Sequence, residues 1–211
     1  MKKYVLLSSA SIIIIILIFT ANLISQRQPD IIRSFNSSIE FEKKTDYKKA
    51  IDELTKIYEA NKNSYLLNLR LGWLYYSNAD YNNSLKYYNV AQSININSVE
   101  PLIGLTYPHA ALKMWDKLSS DYLDILKIDS NNYTANLRYG QIILNKADYK
   151  DAKTYLEKAY NQYPGLYDPN LSLGWTYYYL GSYAKAKELL TAALMLSPGD
   201  KLAQQGLDLV K

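Results

Sequence analysis

The sequence repeats itself every 34 residues, and that period decides what the chain can fold into. LGWLYY at 71–76 returns as LGWTYYY at 173–179, three periods later. One register gives five ungapped windows: 31–64, 65–98, 99–132, 133–166 and 167–200. With the positions of each window numbered 1 to 34, column 17 reads Tyr47, Tyr81, Trp115, Tyr149 and Tyr183. Column 20 reads Ala50, Ser84, Leu118, Ala152 and Ala186, and column 24 reads Leu54, Tyr88, Tyr122, Leu156 and Leu190. Column 27 reads Ile57, Ala91, Ile125, Ala159 and Ala193, and column 8 reads Ser38, Gly72, Thr106, Gly140 and Gly174. Column 32 ends with Pro164 and Pro198, each followed by glycine.

Columns 20, 24 and 27 are spaced by four and three, so they form one stripe of an α-helix. Columns 4, 7, 8 and 11 form the stripe of an earlier helix. A small residue at column 8 lets one backbone approach another. Between the two helices sit the turn-forming pairs Ala79-Asp80, Ala147-Asp148 and Gly181-Ser182. Proline at column 32 stops the second helix. Each window therefore reads as a short antiparallel helix pair. One such pair cannot bury its apolar face alone, whereas a stack of pairs can.

These columns resemble the tetratricopeptide repeat, with its pattern W-x2-L-G-x2-Y, then A-x3-F, then P. The last window fits best, through Leu173, Gly174, Tyr177, Ala186, Leu190, Ala193 and Pro198. Window 65–98 carries Leu71, Gly72, Tyr75, Ser84, Tyr88 and Ala91, and window 133–166 carries Tyr139, Gly140, Ala152, Leu156, Ala159 and Pro164. The resemblance implies an all-α fold: a right-handed α-solenoid of antiparallel helix pairs over 31–200. A polar-faced capping helix follows over 201–211 (KLAQQGLDLVK), and one hydrophobic helix precedes the array. There are two departures from the family pattern. Its tryptophan at column 4 is replaced by Ser34, Asn68, Leu102, Asn136 and Asn170, while Trp73 and Trp175 stand at column 9.

In the family the first helix of each pair lines a concave groove. Columns 2, 5, 9 and 12 share the helical stripe that faces it. Applied here, the groove comprises Leu69, Trp73 and Tyr76, then Ile103 and Tyr107, then Leu137, Gln141 and Leu144, then Leu171, Trp175, Tyr178 and Tyr179, with Arg70 and Arg138 at the rim. Trp, Tyr and Arg are the usual anchors of recognition surfaces. The alternative is that these rings pack between repeats or under the cap. Some family members clamp a C-terminal carboxylate with Lys and Asn at such columns. Here those columns are mostly Leu, Trp and Tyr, which argues against a clamp.

Residues 1–27 read differently. Lys2 and Lys3 precede an apolar run from Tyr4 to Ile24, long enough at about 1.5 Å per residue to span a bilayer. The best cleavage site, after Ser25, has Leu23 where a small residue is preferred, so an uncleaved anchor is favoured over a cleaved signal peptide. Either reading places residues 28–211 outside the cytoplasm, on the periplasmic side of a membrane anchor or secreted.

Composition narrows the functional classes. The chain has no cysteine, which excludes disulfides, thiolate chemistry and lipoprotein anchoring. The formal charge of +4 owes most of its excess to Lys2, Lys3 and Arg27 beside the apolar run, so the body is near neutral and has no electrostatic footprint for nucleic acid. His109 is the only histidine and falls at column 11, an apolar column elsewhere, so a packed, hydrogen-bonded role is expected. The spacing suggests no catalytic constellation, metal site or cofactor loop. The expected function is a non-enzymatic scaffold that binds a peptide segment or helix of a bacterial envelope partner. Self-assembly into homo-oligomers and saccharide binding by ring stacking are the alternatives.

Overall fold

The structure is a computed structural model that describes residues 31–210. The apolar run behind the anchor and signal readings lies outside the described residues, as does Lys211. Among the described residues every regular element is an α-helix, and none is long and apolar enough to cross a membrane. Helix α1 covers residues 31–43. It is followed by α2 (Tyr47–Thr55), α3 (Tyr58–Asn61), α4 (Tyr65–Ser77), α5 (Tyr81–Ile94), α6 (Glu100–Ala111) and α7 (Trp115–Ile128). The last five are α8 (Tyr133–Asn145), α9 (Tyr149–Gln162), α10 (Tyr167–Tyr179), α11 (Tyr183–Leu196) and α12 (Lys201–Leu209). The helices form two compact units, one up to Val90 and one from Ala91.

One turn recurs between the first and second helix of every repeat. Column 15 holds Thr45, Ala79, Lys113, Ala147 and Gly181, all in the left-handed region with φ of 58°, 59°, 56°, 63° and 74°. The next residue donates its N–H five residues back: Asp46 to Phe41, Asp80 to Tyr75, Met114 to His109, Asp148 to Ile143 and Ser182 to Tyr177, at 2.8–3.1 Å. This is the Schellman pattern, which satisfies the last carbonyls of the first helix. Asp46, Asp80 and Asp148 then cap the second helix, their side chains accepting from the backbone N–H three residues on. A single residue thus ends one helix and the next starts another, which produces the tight reversal.

The small residues of column 8 meet column 24 across each pair. A Cβ on Gly72 would lie 2.7 Å from the Tyr88 ring, on Gly140 2.7 Å from Leu156, and on Gly174 2.9 Å from Leu190. The Ser84 hydroxyl donates to the Gly72 carbonyl at 2.8 Å, which binds the same crossing. Gly206, which fits no column of the repeat, has the same role in α12: a Cβ there would lie 2.6 Å from Leu190. The solenoid arrangement is clearest in the second unit, where α8 pairs with α9 and α10 with α11, and the first helices α8, α10 and α12 follow one another. Leu137, Ile143, Leu156, Leu173, Tyr177, Leu189 and Leu190 form its core, and Ala152, Ala159, Ala186 and Ala193 allow the close approach. In the first unit Ala50, Ile51, Leu54, Leu67, Leu71, Leu74 and Tyr87 do so.

The asparagines of column 4 explain the missing tryptophan. Asn68, Asn136 and Asn170 are buried to 0%, 0% and 1% exposure. Each donates its amide twice, to the carbonyls six and four residues back: Lys62 and Ser64, Ser130 and Asn132, Pro164 and Leu166. The side chain pins the turn between repeats to the helix that follows it. A buried carbonyl left unpaired would cost about 1–3 kcal/mol. In the first unit Tyr58, just after the break between α2 and α3, donates to the Asn68 carbonyl oxygen at 3.1 Å.

Candidate functional site

The second unit has an open pocket of about 550 Å³ along its first helices. Gln141, Leu144 and Asn145 of α8, Leu171, Ser172, Trp175 and Tyr179 of α10, and Leu202 and Gln205 of α12 line it. Ala147 of the α8–α9 turn and Tyr149 of α9 complete the lining. No lining side chain carries a formal charge.

The aromatic wall is a stack of three rings. Tyr149 lies against Tyr179 at 4.6 Å between centroids and 12° between planes. Trp175 covers the same tyrosine at 5.8 Å and 30°. Tyr179 thus stacks with two partners, and 49% of the residue stays exposed. Offset stacking of this kind adds about 0.5–1.5 kcal/mol per pair beyond burial. Tyr178 meets Trp175 edge-on at 5.6 Å and packs toward Tyr183, so it supports the wall and lies outside the lining.

Polar contacts hold one corner of the pocket. Gln141 donates to the Ser172 hydroxyl at 3.0 Å, and its carbonyl oxygen accepts from Arg138 at 2.9 Å. Arg138 reaches Asp168 at 3.4 Å and stays about half exposed. The side-chain amides of Asn145 and Gln205 have no partner among the described residues.

Five of the expected groove residues therefore line one pocket: Gln141, Leu144, Leu171, Trp175 and Tyr179. Leu137 does not, because it is 2% exposed and belongs to the core. The reason is angular. At 3.6 residues per turn column 5 lies only about 60° from the core-facing column 8, whereas column 9 lies about 100° away. The spacing overlooked Tyr149, whose signal is column 17, where every repeat places an aromatic ring beside the turn. It also overlooked Asn145, Ala147, Ser172 and the contribution of the capping helix.

In the first unit Leu69 and Tyr76 are half-buried and Trp73 is 38% exposed. Trp73 packs on Tyr76 at 5.9 Å and donates its indole N–H to Glu42 of α1 at 2.7 Å. Arg70 grips the other oxygen of that carboxylate. The expectation of a rim cation at position 70 is corrected: Arg70 is one-fifth exposed and tied to its own chain. In the second unit Ile103 is half-buried and Tyr107 exposed, and neither lines the pocket above.

His109 is buried, and its Nδ1 shares a 2.6 Å hydrogen bond with Asp121. Burial pushes the Asp121 carboxyl up, with His109 working against that rise. The pair bridges α6 and α7 within the packing. Tyr177 is buried on the opposite side of α10, donating to Glu157 at 2.5 Å. Burial, and then that carboxylate, push its phenol up to about 12.

Stacked helix pairs joined by one recurring turn, with an open surface along the first helices, define a helical-repeat protein. Residues 144–207 match the tetratricopeptide repeat family model, and the fold is that of solved tetratricopeptide proteins. A tetratricopeptide repeat protein from Parabacteroides merdae is similar at a TM-score of 0.73 and 19% identity, over 86% of this chain and 72% of that one. YrrB, a tetratricopeptide protein with an unusual peptide-binding site, is similar at 0.70 and 18%, over 89% and 97%. MamA is similar at 0.69 and 17%, over 79% and 91%. Comparison with curated proteins found no match.

Proposed function

We propose that the protein is a non-enzymatic scaffold that captures a peptide segment of another protein in the aromatic pocket of its second unit. The observation that carries this reading is the Tyr149–Tyr179–Trp175 stack. It is a ring wall on an open surface, with Trp175 also packed against the core beneath it. Rings of this kind supply contact area with little loss of side-chain freedom, which suits recognition. YrrB, whose fold is similar, is described as having a peptide-binding site, which adds support. The Lys-Lys start and the apolar run to Ile24 favour a partner in a bacterial envelope, with the repeats outside the cytoplasm.

Crosslinking and pull-down from native membranes, with the N-terminal segment intact, test the proposal. The wild-type chain should retain a discrete partner that Trp175→Ala and Tyr179→Ala lose, while their circular dichroism stays that of the wild type. Equal recovery by the variants would refute the pocket as the capture site.

A further inference from the structure

We infer that the pocket reads the main chain of an uncharged, internal peptide stretch rather than a chain terminus or a charged side chain; this rests on the peptide-binding reading above. Three observations converge. First, the lining carries no Lys, Arg, His, Asp or Glu, and the neighbouring Arg138 guanidinium is engaged by Gln141 and Asp168. A charged ligand group would lose its water there without gaining an opposite charge.

Second, the amides of Asn145 and Gln205 both line the pocket, from α8 and α12, with no partner among the described residues. Each amide offers both a donor and an acceptor, the same pair that every residue of an extended backbone presents. Gln141 keeps a remaining donor hydrogen and acceptor lone pair, and its orientation is set by Ser172 and Arg138. Third, Tyr179 stacks with both Tyr149 and Trp175, and each stack takes up ring faces that a sugar ring would otherwise use. The volume of about 550 Å³ falls in the range of sites that enclose a few ligand groups.

The first unit shows the contrast. There the corresponding tryptophan, Trp73, and Arg70 do hold a carboxylate, that of Glu42 in the same chain. In the second unit Gln141 stands at the column of Trp73, and Arg138, at the column of Arg70, pairs with Asp168, which lies outside the lining.

The test uses the full-length chain and a synthetic array. Acetylated, amidated heptapeptides of Ala, Ser, Asn, Gln, Pro and Tyr form one arm. The second arm carries a central Lys or Glu, or a free C-terminal carboxylate, and chito- and cello-oligosaccharides form the third. The expected result is binding in the first arm, weakened about tenfold or more by one central charge. Asn145→Ala and Gln205→Ala, both surface changes, should each weaken that binding by roughly five- to tenfold. Equal or tighter binding of charged or free-carboxylate peptides would overturn the inference and leave the peptide-binding reading standing. Binding of the saccharides alone, abolished by Trp175→Ala, would overturn both. No binding in any arm would overturn the inference, and the pull-down would then decide the wider reading separately.

Discussion

Trp73 and Trp175 stand at the same column of the same repeat, three periods apart, yet they do different work. Trp73 gives its indole N–H to Glu42 and, with Arg70, ties α4 to α1. Trp175 makes no hydrogen bond through its indole and joins a ring stack that lines an open pocket. The difference comes from the preceding repeat. Column 12 is Glu42 before Trp73 but Leu144 before Trp175. An acid at that column gives the indole N–H a partner. A leucine leaves the ring to other rings. Equivalence in a repeat is therefore equivalence of backbone, and the neighbour across the repeat boundary decides the role of an exposed side chain.

The largest effect that sharpens this comparison lies at column 4. Asn68→Ala should cost about 3 kcal/mol, because it frees two loop carbonyls and the Tyr58 hydroxyl together. Asn170→Ala frees two carbonyls only and should cost about 2 kcal/mol. Denaturant unfolding of both variants would measure this, and a larger loss at Asn170 would break the ranking.

Alkaline pH gives the next effect, and both units feel it, since burial also pushes the Tyr87 phenol of the first unit up to about 12. Tyr177 has its phenol raised to about 12 by burial and Glu157, against about 10 in an unfolded chain. Because the folded value is the higher one, the associated stability is present below about pH 10. It disappears as pH rises through about 12. Tyr177→Phe should flatten that loss, worth up to about 2 kcal/mol, when stability is followed by circular dichroism across pH 9–12. An unchanged pH profile would show that Tyr177 ionises as freely folded as unfolded.

The tryptophans themselves follow. Trp73→Phe removes the hydrogen bond to Glu42 and should cost about 1.5 kcal/mol, whereas Trp175→Phe removes none and should stay within about 0.5 kcal/mol. A double-mutant cycle of Trp73→Phe with Glu42→Gln should show coupling. Additive losses would mean that the indole and the carboxylate act independently. The smallest effect belongs to column 15. Ala147→Gly relieves an alanine held at φ 63° and should gain roughly 0.5 kcal/mol once glycine's greater freedom in the unfolded chain is subtracted. Gly181→Ala should lose about the same by thermal melting, and a loss at both sites would show that the turns are not equivalent.

Much of this was legible in the linear order of residues. The 34-residue period, the two helical stripes, the turn pairs and the close contact at column 8 all depend on neighbours within one repeat. Local spacing encodes such neighbours directly. The groove was legible only in outline. Column 9 lies farther around the helix and is fully buried in no copy, although Trp175 still packs against the core. Column 5 lies near the boundary, so Leu137 and Leu171 share a column and differ in exposure. Tyr149 belongs to a second helix, and its ring reaches Tyr179 only because the Schellman turn folds it back.

Sequence alone thus determined the repeat, its register, the all-helical class and the apolar N-terminal run, because each is a property of one segment and its immediate neighbours. Tertiary structure alone decided that Arg70 and Trp73 are held by Glu42 and that three asparagines pin the turns between repeats. It also decided that the rings of Tyr149, Tyr179 and Trp175 stand as one wall. The Glu42 contacts and the Tyr149–Tyr179 stack depend on side chains roughly 30 residues apart meeting across a repeat boundary. A period read along the chain lists which residue types recur, and only packing selects which of them touch.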